Sequence, residues 1–256
     1  CLLVPLEFFP LNPSGKPFKH PGAMVTPYPD LRHFTVRDYG NRVGVYRILE
    51  ALGETKASFA INGEIARRYP PLLNAAAGHE IIAHGLSTDH LHHEGLSETE
   101  EQELISQTLA CFGTPPKGWM SPARNQSSQT LRRLAKAGLD YCLDWEMDQV
   151  PVTATTENGD ITLIPNSYEL SDFTLLHTRR QTEEAWLKQL QDAIGLLIEE
   201  HERFGGQMLT LTLTPYVIGQ PFRIWALRVL LNYLNESPDV TVMTAGDIAT
   251  HFKEQA

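Results

Sequence analysis

Cysteine, basic charge and long apolar runs are all scarce in this sequence, and each shortage closes off a class of protein. Three cysteines, at positions 1, 111 and 142, are odd in number and fall in no metal or redox spacing. They give no disulfide framework and point to a reducing, cytoplasmic setting. Cys111 on a helix and Cys142 in an apolar strand are expected as core residues rather than nucleophiles. No apolar run is long enough to span a bilayer, and residues 1–5 are too brief and lack the basic lead of a signal peptide. The expectation is a chain with no membrane partner. Asp and Glu outnumber Lys and Arg by 31 to 21, a net charge of −10. With no basic run to offset that balance, nucleic acid is excluded as a partner.

What the sequence does contain is an alternation of two periods. Short β-branched or apolar segments fall at 2–9, 56–63, 79–83, 118–122, 140–145, 161–164, 208–213 and 240–243. Helix-period segments lie between them. Asn41 can cap a helix reaching Leu52, Pro70-Pro71 stops a short helix at 64–69, and Gly78 ends another at 72–77. Ser97 and Glu100 form a capping box, Thr182 caps a long amphipathic helix, and Pro221 sits in the first turn of another. Further helices are expected at 128–137 and from Ala245. Strand and helix alternating with short connections predict an α/β fold, one parallel β/α barrel spanning residues 1–256 with no linker. Residues 10–39, rich in proline, are expected as a long loop over the active face, with Lys19, His20, Arg32 and His33 as candidates for substrate contact.

Five of the ten histidines (79, 84, 90, 92 and 93) crowd into the stretch Gly78–His93, a strand that empties into a polar turn. In α/β folds the C-terminal ends of strands are where chemistry collects. Those ends carry Glu7, Asn62, His84, Arg124, Asp144 with Trp145, and Thr214. An acid, an imidazole and a guanidinium on one rim suit hydrolysis of an amide-like bond. Glu7 or His84, helped by Asp89 or His90 from the histidine loop, would move the proton, and Arg124 would steady negative charge. Asn62, Asp144, Trp145 and Thr214 are candidates for binding substrate. Arg37, Tyr39, Asn41 and Arg42 are read as a polar wall suited to a carbonyl-rich or anionic small molecule. A zinc pair of the form H-x-x-x-H is missing, because the fourth residue after His84 is Thr88. No cofactor is therefore expected. A divalent metal such as zinc, if held, would fall to His84 and His90. The oligomeric state, a homo-oligomer included, is left open.

Six segments together resemble the polysaccharide deacetylase family: SFAING at 58–63, GHEIIAHG at 78–85, SPAR at 121–124, DYCLDW at 140–145, TPYVIGQP at 214–221 and RDYGNRVGVYRILEAL at 37–52. The branch they look most like is the cytoplasmic one holding peptidoglycan-deacetylase-like and allantoinase-like proteins. The resemblance implies a distorted β/α barrel and hydrolysis of carbon–nitrogen bonds other than peptide bonds. Several positions depart from the family pattern. Its first motif has an aspartate pair where this chain has Leu6-Glu7-Phe8, and its second has two histidines where this chain keeps His84 and has Thr88. Pro122 and Arg124 echo the third motif in altered order, and Thr214 stands before Pro215 where the family has a general-acid histidine. Two expectations follow. One is a hydrolase acting on a small N-acyl or ureido compound; the alternative is an inactive binding protein that has lost its metal ligands and general acid.

Overall fold

The computed structural model describes residues 1–14 and 27–255. Strand β1 (Leu2–Leu6) opens the chain, and helix α1 (Leu31–Tyr39) continues through a π-helical turn (Gly40–Gly44) into α2 (Val45–Leu52). After β2 (Ser58–Ile61) come the short helices α3 (Gly63–Arg68) and α4 (Pro70–Ala76), then β3 (Glu80–Ala83) and α5 (Glu98–Leu109). Next are β4 (Gly118–Trp119), α6 (Thr130–Lys136), β5 (Tyr141–Cys142) and the hairpin of β6 (Val152–Thr156) and β7 (Gly159–Leu163). Helices α7 (Glu183–Glu199) and α8 (His201–Phe204), strand β8 (Leu211–Thr212), α9 (Ile224–Glu236) and α10 (Ala245–Gln255) complete the order.

All eight strands join one sheet in the order β6-β7-β5-β4-β3-β2-β1-β8. Every pairing is parallel except that of β6 with β7. The sheet curls into a distorted β/α barrel, but β8 and β7 do not pair. Side chains span that gap: the Thr210 hydroxyl donates to the Pro165 carbonyl at 2.7 Å and the Thr212 hydroxyl to Asn166 Oδ1 at 3.1 Å. Strand alternation sorts the core into two layers. Leu2, Val4, Leu6, Phe59 and Ile61 face the surrounding helices, while Leu3, Ala60 and Ile82 point inward with Met120, Leu143 and Ile164. Ala245 and Ala249 of α10 join the inner layer and plug the barrel from below. The inner residues form a floor beneath the strands' C-terminal ends, where an open space remains.

Three expectations change. Residues 240–243 form no strand, although Val240 and Val242 still pack on the outer core. Residues 31–39, read as loop, are helical, with the Asp30 carboxylate accepting from the His33 amide at 3.0 Å as N-cap. Asn41 therefore caps nothing and lies within a continuous helical run. Lys19 and His20 lie outside the described residues. No described helix is long and apolar enough to cross a membrane.

Candidate active site

Glu7, Asn62, His84 and Thr214 follow β1, β2, β3 and β8, and Arg124 ends a 3-10 turn (Pro122–Arg124) beyond β4. Of these, Glu7, His84, Arg124 and Thr214 line one cavity of about 220 Å³. Its remaining wall is mostly apolar and aromatic, with Phe9, Leu91, Met120, Tyr168, Phe173 and Tyr216. Asn166, Ser171, Thr88 and Thr212 add neutral polar groups.

His84 is buried, and its Nδ1 lies 2.8 Å from the Met120 carbonyl oxygen. A carbonyl only accepts, so Nδ1 carries hydrogen, and in the neutral form of the ring the lone pair sits at Nε2. That Nε2 makes no hydrogen bond and stands 3.5 Å from Glu7 Oε1. Two acceptors thus face each other, an arrangement that suits a donor with two hydrogens placed between them. Close packing fixes the pair. Gly85 takes φ +61°, and a Cβ there would meet Pro122 at 2.4 Å, so only glycine lets the histidine turn approach the arginine turn. A Cβ on Gly44 would lie 2.1 Å from the Pro215 carbonyl oxygen, so the π-turn presses directly on the segment after β8.

Several expected binding residues hold backbone instead. Asn41 Nδ2 donates to the Glu7 carbonyl at 2.8 Å. Asn62 is fully buried, accepting from the Phe8 amide at 2.7 Å and donating to the His84 carbonyl. Asp144 accepts from the Ser121 amide at 2.7 Å and from Gln126 at 2.5 Å, which steadies the arginine turn from outside the cavity. These three orient the site without lining it.

Others stand apart from it. Asp89 accepts from the Ser14 amide at 2.8 Å and hydroxyl at 2.6 Å, tying down the segment after β1, and does not line the cavity. His90 is exposed and bonds the Ser87 hydroxyl at 2.7 Å. Arg42 is solvated beside Asp38, Tyr39 accepts from Arg47, and Trp145 is exposed. Arg37 is buried just behind the wall, its guanidinium 4.6 Å from the Phe9 ring centroid and 5.5 Å from that of Tyr216.

Residues unforeseen in the sequence complete the electrostatics. Burial, reinforced by Glu7, pushes the Tyr216 phenol well up, so it remains a donor. Asp172 is fully buried and accepts the Thr214 amide at 2.7 Å; burial pushes its carboxyl up to about 7. Burial also lowers the Arg124 pKa, with Glu146 and Asp144 opposing the shift. Tyr216 sits in the TPYVIGQP segment, two positions beyond Thr214, the one signal that could have found it.

A catalytic zinc takes three protein ligands. Among the described residues no three His, Cys, Asp or Glu side chains gather to hold a metal. Glu7 and His84 supply two, but the Thr88 hydroxyl donates to the Phe8 carbonyl at 2.9 Å and His90 is committed to Ser87. The donor set does not fit a tightly held ion, and the pairing of His84 with His90 as ligands is not formed.

No family model matches the sequence, and no curated protein does. Solved structures do match. Puue allantoinase is 23% identical with a TM-score of 0.86, over 99% of this chain and 89% of that one. The probable polysaccharide deacetylase from Pseudomonas aeruginosa PAO1 is 23% identical with a TM-score of 0.81, over 99% and 90%. A CE4 family pseudoenzyme from Bacillus anthracis is 14% identical with a TM-score of 0.53, over 82% and 61%. The chain has the polysaccharide deacetylase fold.

Proposed function

We propose that this chain hydrolyses a carbon–nitrogen bond, other than a peptide bond, in a small N-acyl or ureido compound. The observation that carries this reading is the unpartnered Nε2 of His84, buried 3.5 Å from Glu7 in the cavity. A water molecule bridging the two acceptors gives one proton to the pair as its oxygen attacks the carbonyl carbon. The tetrahedral intermediate collapses by breaking the C–N bond. The imidazolium returns the proton to the leaving nitrogen, a role that the Thr214 hydroxyl is too weak an acid to fill. The Tyr216 phenol is the neutral donor beside the pair. The fold shared with an allantoinase and a polysaccharide deacetylase supports this reaction class. A cavity of about 220 Å³ favours a small substrate over a glycan chain.

The test is turnover of N-acetyl sugars, small N-acyl amines and ureido compounds by purified protein, with and without zinc or EDTA. At least one small compound should be cleaved, insensitively to EDTA. Glu7→Gln or His84→Gln should slow turnover by roughly 10²–10⁴-fold, the usual worth of a general base. Cleavage confined to polymeric glycans would remove the small-substrate claim, and EDTA-sensitive turnover would remove the metal-free one. Thr214 favours a second reading, since a CE4 family pseudoenzyme has this fold too. In that case ligands raise the unfolding temperature and no product forms.

A further inference from the structure

Among the described residues lining the cavity, Arg124 is the one Lys or Arg. Among the described residues it has no carboxylate within the 4.0 Å reach of an ion pair; Glu146 and Asp144 act on it from farther away. The guanidinium is nonetheless held firmly. Nη1 donates to the Asn166 carbonyl, and the Tyr168 ring centroid lies 5.2 Å from the guanidinium carbon. The turn that delivers it carries φ +54° at Ala123 and +53° at Arg124, left-handed backbone that costs energy in non-glycine residues. A chain that keeps two such residues in succession, and partly desolvates a cation without an ion-pair partner, leaves a place for an anion.

That anion is not Glu7. Strand β4 lies three positions from β1 in the sheet, roughly 14 Å along it before curvature shortens the path. Arg124 thus keeps its charge for an anion that the ligand brings. Among the described residues one guanidinium lines a cavity that also holds the Glu7 carboxylate, with Arg37 buried behind the wall, and the planar fork of Arg124 matches a carboxylate bidentately.

We infer that the substrate is a small carboxylic acid bearing the amide, an N-acyl or N-carbamoyl amino acid, with its carboxylate seated on Arg124 and its apolar part against Phe9, Leu91 and Phe173. This rests on the hydrolase reading above for the reaction, but not for the binding. An arginine that meets its anion in the ground state lowers KM rather than raising kcat.

The test is calorimetric binding of N-acetyl and N-carbamoyl derivatives of glycine, alanine and valine, each beside its neutral primary amide. The acids should bind at least tenfold more tightly than the amides. Arg124→Ala should abolish that difference. Arg124→Lys, which keeps charge and loses the fork, should retain part of it and serves if the alanine variant is unstable. Where acids are turned over, Arg124→Ala should raise KM by a larger factor than it lowers kcat. Equal affinity for acid and amide, no binding of any acid, or a kcat loss without a KM change overturns the inference. A selective acid site without turnover would sink the hydrolase reading alone; turnover of neutral amides without preference would sink this one alone.

Discussion

Tyr216 lines the cavity with Glu7 and His84, and its ring packs edge-on against Phe9 and Phe173 with centroids 6.4 Å away in each case. Because burial and Glu7 hold the phenol protonated, it is a hydrogen-bond donor throughout the neutral range. Tyr216→Phe keeps the ring and removes the donor, so kcat should fall by about 10²-fold, as for loss of one donor to a developing oxyanion. The unfolding temperature should hardly move, and unchanged kcat would remove Tyr216 from the reaction. Glu7, His84, Arg124 and Thr214 were readable as cavity residues because each closes a strand or follows one directly. Asn62 and Asp144 looked the same in sequence, and Asn41 was read in the polar wall, yet all three turned to backbone groups; residue type does not tell a ligand's polar atoms from the chain's own. Arg42, His90 and Trp145 show the converse, polar or aromatic residues near motifs that solvent claimed. Asn166 and Tyr168 follow the segment at 161–164, but neither carries charge nor falls in one of the six motif-like segments, so they were passed over.

Elements carrying a full repeat were legible; those defined by tertiary pressure were not. Helices α5 and α7 begin at the capping residues Ser97 and Thr182 because the cap and the apolar stripe agree. Helix α1 lies in a proline-rich surrounding with a weak stripe, and the Val240–Met243 alternation fits a strand but finds no ladder edge to join. Strand β6 alternates half-buried and exposed residues along a hairpin that the irregular sequence around it concealed. The closing helix α10 depends on a contact far from it in sequence. Glu80, at the start of β3, accepts from the Gly246 amide at 2.8 Å, from the Ser58 hydroxyl at 2.5 Å and from the Tyr141 phenol. The Ser58 oxygen in turn accepts the Ala245 amide at 2.9 Å. The carboxylate thereby fastens the N-terminus of α10 under the barrel, where the helix dipole also favours negative charge. Glu80→Ala leaves those donors without their acceptor and should cost about 1–3 kcal/mol. Hydrogen exchange should rise first across residues 245–255; uniform exchange with unchanged stability would show that the helix is held by apolar packing alone.

The molecule as a whole is a parallel barrel that strand and helix alternation made legible, while its unpaired β7–β8 seam depends on register and was not. Near that seam lies Asp172 beneath Thr214, and across the barrel His92 is buried, its Nδ1 3.0 Å from the buried Glu101 carboxylate. Burial acts on the two in opposite senses, raising Asp172 from 3.8 to about 7 and lowering His92 from 6.5 to about 4. For Asp172 the folded value is the higher, so its contribution is complete below pH 3.8 and is lost as pH rises through about 7. For His92 the folded value is the lower, so its contribution is complete above pH 6.5 and is lost as pH falls through about 4. The two slopes oppose one another in wild-type protein, and variants separate them. Asp172→Asn keeps an acceptor for the Thr214 amide and cannot ionise. Its stability relative to wild type should therefore climb between pH 4 and pH 8, by on the order of 4 kcal/mol at most, from 1.36 kcal/mol per unit. His92→Gln should lose stability relative to wild type over the same rise, because only wild type gains as its histidine escapes the cost of charging. Urea unfolding of the three proteins at pH 4, 6 and 8 gives both differences, and a difference flat with pH for Asp172→Asn would mean that its carboxyl stays ionised in the fold.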